Sequence, residues 1–141
     1  MQVPTGWKLT GRVNNVIDPV TVFTVSTFSI PKVTDSSSGH CSVALQRGWR
    51  ADGVYVQLTE VRDGASRATT LKRVQRRPAH FVLSAKGSGG LCTPADSGSL
   101  SFQANGRAFY VFYGFGPKAS KATRARAAAM LDAMKIAPRA S

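Results

Sequence analysis

At 141 residues the chain has the length of one domain, able to bury roughly two-thirds of its unfolded surface, so neither a disulfide nor a metal is needed merely to make a core. Its 43% apolar, 9% aromatic and 18% charged residues exclude a disordered chain, and no stretch approaches the roughly 18 uninterrupted apolar residues of a membrane-spanning helix. Nineteen Lys and Arg against seven Asp and Glu give +12, a field that draws nucleic acid, anionic lipid or acidic wall polymer whatever the fold.

The opening stretch, MQVPTGWKLTGR, holds no apolar segment of the kind that directs export. Two readings stay open: a cytoplasmic protein, or the mature part of an exported one whose leader or anchor is absent from this chain. Residues 20–30, VTVFTVSTFSI, are β-branched and aromatic and end at Pro31. The apolar phase shifts from Phe23 and Val25 to Phe28 and Ile30, which predicts a bulged or doubly covered strand. A Ser-rich loop over 32–39 follows, then HCSVALQR, residues 40–47, as a short helix or turn. Residues 52–61, DGVYVQLTEV, alternate cleanly, with Val54, Val56 and Leu58 on one face of a strand and Tyr55, Gln57 and Thr59 on the other.

Residues 62–79, RDGASRATTLKRVQRRPA, read as a basic linker, and HFVLSAK after them as a short strand. GSGGLCTPADSGS, residues 87–99, reads as a long glycine-rich loop. Two strand-like runs then flank Asn105 and Gly106; a type I′ turn needs positive φ at both central residues, which this dipeptide supplies, so the pattern predicts a hairpin. Residues 120–136 are helical, with Ser120 as N-cap and Thr123, Ala127, Met130, Leu131 and Met134 on one face, and Pro138 beyond the end. Strands followed by one C-terminal helix predict a single α+β domain over residues 1–141: a mostly antiparallel sheet with that helix packed on one face.

Between hairpin and helix lies YGFGPKAS, residues 113–120. It matches neither the P-loop nor the dinucleotide pattern. Its incoming strand belongs to an antiparallel hairpin, and no parallel return strand follows the helix. The pattern therefore predicts a sheet-to-helix turn made by Gly114 and Gly116, with amides near Ser120 able to hold an anion. Catalytic patterns are also missing: His40 and His80 fit no hydrolase or metalloprotease motif, and the acids are scattered in turns. No catalytic residue, metal ligand or cofactor is nominated.

Cys41 and Cys92 lie about 50 residues apart without metal-site spacing. They are either a bridge, which would imply an oxidising compartment, or two unrelated buried thiols. The best lead to a partner is the basic stretch: Arg62, Arg67, Lys72, Arg73, Arg76, Arg77 and Lys86 against the single acid Asp63. Such a cluster can track an anionic polymer, and Phe109, Tyr110, Phe112 and Tyr113 offer faces for stacking bases. A solvated loop and a hairpin core explain the same residues.

The order Gly6-Trp7, a strand ending in Ile30-Pro31, a Cys before DGVYVQLTE, then RRPAHFVL, a second Cys and SFQANGRAFYVFYGFGPKASKATRARAAAMLDAMKI resembles uncharacterised exported or membrane-anchored domains of actinobacteria. The resemblance spans nearly the whole chain and carries no catalytic motif. It implies a Cys41–Cys92 disulfide and work outside the cytoplasm. It also implies roles for three residues: Trp7 anchoring the first strand, Arg107 pairing with an acid or lining a groove, and Asp132, outward on the helical wheel, capping or pairing locally. Together these readings predict a non-catalytic extracytoplasmic module of the cell envelope whose basic surface meets anionic lipid, wall polymer or an envelope protein. The alternative is a small cytoplasmic nucleic-acid-binding protein.

Overall fold

Runs rich in Val, Phe, Tyr and Thr form the three central strands, and two alanine-containing stretches form the helices. The computed structural model describes residues 2–10, 19–29, 49–84 and 96–139. In chain order these hold β1 (Lys8–Thr10), β2 (Val20–Ser26), β3 (Val54–Val61), α1 (Gly64–Arg73), β4 (Asp96–Ala104), β5 (Arg107–Phe115) and α2 (Lys121–Ala133). The strands make one sheet in the order β1-β2-β3-β5-β4, each neighbouring pair antiparallel. The architecture is α+β, as the residue pattern predicts.

The hairpin turns where expected. Asn105 and Gly106 take φ of 53° and 74°, so Ala104 pairs with Arg107 and the register runs to Asp96 opposite Phe115. Strand β4 thus begins inside what the sequence presents as loop. In β2 the register shifts between Thr21 and Phe23, earlier than the change of apolar phase suggests. That strand ends at Ser26, and Phe28 turns instead into an aromatic group with Trp49 and Tyr55.

One face of the sheet carries the main core. Phe102 stacks on Phe109 at 5.2 Å, Phe81 meets Phe102 edge-on, and Leu58, Val56 and Val111 fill the centre. Helix α2 covers this face with Ala127, Met130 and Leu131, each large side chain contributing about 1.5–3 kcal/mol on burial. Ser120 caps the helix by accepting from the Thr123 amide at 3.1 Å. Trp7 packs against this core, in the role the resemblance implies. On the opposite face Tyr55 is buried, which pushes its phenol up to about 12.

Three sequence readings are corrected. The basic linker is largely the ten-residue helix α1. Asp63 caps it by accepting from the Ser66 amide at 3.0 Å, and Ala65, Arg67, Ala68, Leu71, Lys72 and Arg73 are competent helix formers whose charge obscures the pattern. HFVLSAK is not a strand over its described residues, 80–84. Those residues belong to a strap, 75–84, that leaves α1 and crosses the edge of the sheet. Gln75 and Arg77 bond the backbone of Gln103 on β4 in a short parallel bridge, Phe81 enters the core, and the Ser84 carbonyl accepts from the Tyr113 hydroxyl at 2.8 Å. Gln103 alternates with Phe102 and donates its amide to the carbonyls of Leu71 and Val74, so α1 ends on the face opposite the core. The third correction is Asp132, whose partners are far along the chain rather than local. It accepts from the Phe81 amide at 2.7 Å and faces the exposed His80 at 3.4 Å.

Several readings lie outside the described residues: Cys41, Cys92, His40, Lys86, the Ser-rich loop, HCSVALQR and most of the glycine-rich loop. Among the described residues no helix is long and apolar enough to cross a membrane.

Candidate anion-binding cleft

Strand alternation puts Glu60 on the same face as Leu58, at the end of β3 and opposite Phe109 on β5. A carboxylate with only 7% of its side chain exposed needs ionic partners. Arg107, which opens β5 two residues before Phe109, supplies a bidentate pair: Nε donates to Oε1 at 2.8 Å and Nη2 to Oε2 at 2.9 Å. Arg62, just past β3, donates its Nε to Oε2 at 3.1 Å. The Arg107 guanidinium also covers the Phe109 ring at 5.2 Å and donates its Nη1 to the Ala137 carbonyl. The Glu60 hydrogen bonds hold the Arg107 guanidinium above its usual range, against the opposing effect of partial burial.

Pro138 and Arg139 bring the segment after α2 over this group. The result is a cleft of about 380 Å3 lined by Glu60, Arg62, Arg107, Pro138 and Arg139. Two guanidiniums, those of Arg62 and Arg107, therefore pair with the Glu60 carboxylate, while Arg139 lines the same cleft without an acidic partner among the described residues. Chemically, guanidiniums in an open cleft can hold and orient an anion.

The other cations of the predicted basic stretch sit in different settings. Arg67 lies on α1 with its Nη1 buried and without a hydrogen-bond partner among the described residues. Lys72 and Arg73 are exposed in the last turn of α1, where they complement the helix dipole, and Arg76 is exposed on the strap. Arg77 is committed internally: its Nη2 donates to the carbonyls of Leu131 and Asp132 at 2.8 and 3.0 Å, and its guanidinium stands 5.7 Å from the Phe81 ring. Of the aromatics offered as stacking faces, Phe109 and Tyr113 are core, and Tyr110 and Phe112 are half-buried on the other face.

Glu60 and Arg139 are missing from the sequence-derived site, while Arg107 both pairs with an acid and lines a groove, as the resemblance implies. The signal for Glu60 was present: it continues the core phase of Val54, Val56 and Leu58, where a carboxylate demands a cation.

The YGFGPKAS turn is accounted for by packing. A Cβ on Gly116 would lie 2.1 Å from the Ala51 carbonyl oxygen, and the Lys118 amide donates to that same oxygen, so glycine permits the close approach of two backbones. Lys118, Arg50, Asp52, Ser120 and Trp7 line a second open cleft there, in which Arg50 is paired with Asp52 at 3.4 Å. No family model, curated protein or solved structure matches the chain.

Proposed function

We propose that the chain is a non-catalytic binding module of the cell envelope that engages anionic partners through its basic surface. The observation that carries this reading is an open cleft in which Arg62 and Arg107 pair with Glu60 and which Arg139 lines without an acidic partner among the described residues. Lys72, Arg73 and Arg76, exposed and without acidic partners among the described residues, extend the positive field that attracts polymer or lipid surface. Placement outside the cytoplasm rests on the sequence, through Cys41, Cys92 and the resemblance they belong to.

The test is retention of the full chain on anionic wall polymer, on anionic vesicles and on single- and double-stranded nucleic acid at about 0.15 M salt, an ionic strength at which weak surface attraction is strongly screened. Retention on polymer or vesicles that weakens with added salt, with none on nucleic acid, supports the module. Tight nucleic-acid binding with a steep salt slope overturns it in favour of the nucleic-acid reading.

A further inference from the structure

We propose that the outer edge of β4, beside Ser99 and Ser101, docks an extended acidic segment of a partner protein as an added strand. This rests on the reading of the chain as a module for anionic partners and names the kind of segment that such a partner presents.

The phase of the hairpin decides which backbone groups face outward. Gln103 gives both of its groups to the strap: its amide donates to the Gln75 carbonyl, and its carbonyl accepts from the Arg77 amide, each at 2.9 Å. Residues along an antiparallel strand alternate between bonding their neighbour and pointing away from it, and the register between β4 and β5 runs without a shift from Ala104 to Asp96. Ser101 and Ser99 therefore aim their N–H and C=O groups to the same side as Gln103. Among the described residues neither makes a hydrogen bond there, and Ser99 is exposed. The strap does not continue along this edge. After Arg77 it passes to the core face, where Phe81 is buried and the Ser84 carbonyl reaches Tyr113, so close to β4 that a Cβ on Gly98 would lie 2.8 Å from that carbonyl oxygen. One position of the edge thus already holds a strand, and Ser101 and Ser99 each offer the same pair of groups.

The surroundings select the charge of the incoming strand. Gln103 donates its side-chain amide to the carbonyls of Leu71 and Val74, which holds the last turn of α1 beside this end of the edge. Lys72 and Arg73 in that turn and Arg76 on the strap are exposed, and Arg76 is the residue bridged to Gln103. A strand lying against Ser99 and Ser101 therefore ends near Lys72, Arg73 and Arg76. Carboxylates along it are drawn in by the same field that repels a second copy of a chain carrying +12. Main-chain hydrogen bonds to the edge supply the affinity of such a contact, and the side chains supply its selectivity.

The experiment is fluorescence anisotropy of the full chain at about 0.15 M salt with a labelled peptide alternating Glu and Thr. It is set against a Lys-Thr counterpart and a Glu-Thr peptide N-methylated on adjacent residues, which cannot pair with an edge. The plain Glu-Thr peptide is expected to bind at least about tenfold more tightly than either control. Ser99→Pro removes an outward N–H that the β5 ladder does not use, a change that edge strands tolerate. It is expected to weaken binding of the Glu-Thr peptide by about tenfold or more, with the unfolding midpoint near that of the parent. Should this variant fail to fold, the N-methylated peptide carries the same test from the other side of the contact. No binding of the Glu-Thr peptide, equal binding of the plain and N-methylated peptides, or a folded Ser99→Pro variant that binds as well as the parent overturns the inference. Self-association of the parent chain that Ser99→Pro abolishes, with no peptide bound, also overturns it and assigns the edge to a second copy. If retention on anionic polymer or vesicles persists in any of these cases, the module survives and the docking edge alone fails; if nothing anionic is retained, both fail.

Discussion

Two arginines reach the chain where α2 ends, in two regions that use positive charge differently. In the strap, Arg77 donates to the carbonyls of Leu131 and Asp132 and lies over Phe81, so its donors close the C-terminal end of a helix. In the cleft, Arg107 reaches the Ala137 carbonyl but directs most of its donors to Glu60, with Arg62 and Arg139 beside it. Both are half-buried, and both cover an aromatic ring. The difference lies in what the donors meet. Carbonyl oxygens absorb Arg77 into the fold, whereas in the cleft Arg107 and Arg62 share the Glu60 carboxylate and Arg139 has no acidic partner among the described residues. Positive residues in a sequence are thus left over for a partner only where they outnumber the acceptors that folding brings to them.

The comparison breaks most sharply at Arg107. Arg107→Ala leaves the buried Glu60 carboxylate with Arg62 alone, and a loss of about 3 kcal/mol or more in urea unfolding is expected. A Glu60→Gln, Arg107→Met double variant is expected to lose less than the two single changes combined, because it removes the unpaired charge as well. Strict additivity would show that the pair is not coupled. Arg77→Met is expected to cost about 2 kcal/mol through two charge-assisted hydrogen bonds, yet to leave retention on anionic polymer as it was. A matching fall in retention would place Arg77 in the binding surface and erase the distinction.

Asp132→Ala, which removes the acceptor of the Phe81 amide, is expected to lower stability by about 1–2 kcal/mol, with Asp132→Asn recovering part of it. Where the chain enters α1, the hydrogen bonds from Ser66 hold the Asp63 carboxyl below its usual range. Since the folded value is the lower one, this cap stabilises fully above the ordinary carboxylate pKa of about 4 and its contribution is lost as pH falls through the depressed value. The difference in unfolding midpoint between the parent and Asp63→Ala is therefore expected to be present at neutral pH and to shrink on acidification below about pH 4. The smallest effect on stability belongs to Arg139→Ala, within about 0.5 kcal/mol, which separates an exposed side chain from Arg77 and Arg107, which the fold uses.

Legibility in the sequence followed locality. The Asn105-Gly106 hairpin was readable because positive φ at two adjacent residues is a property of the dipeptide itself. Helix α2 was readable from Ser120 and its apolar stripe, although it ends at Ala133, three residues short of the predicted limit. Helix α1 was not, because Arg67, Lys72 and Arg73 read as a solvated run while the cap that starts the helix is the single acid among them, Asp63. The strap was hidden for a different reason: Phe81 and Asp132 are 51 residues apart, and nothing in either segment announces the other. The same holds for the candidate site, since Glu60 and Arg107 meet across 47 residues.

What the sequence by itself determined is the fold class, α+β, with a strong positive field, a hairpin and a C-terminal helix. These follow from composition, from periods of 2.0 and 3.6 residues and from turn chemistry, all of which act over a few neighbours. Only the tertiary structure decided which cations the fold consumes and which it leaves over. A guanidinium's role depends on the acceptors within about 3 Å of it, and those acceptors arrive from strands and helix ends brought together only when the sheet and α2 close over one core.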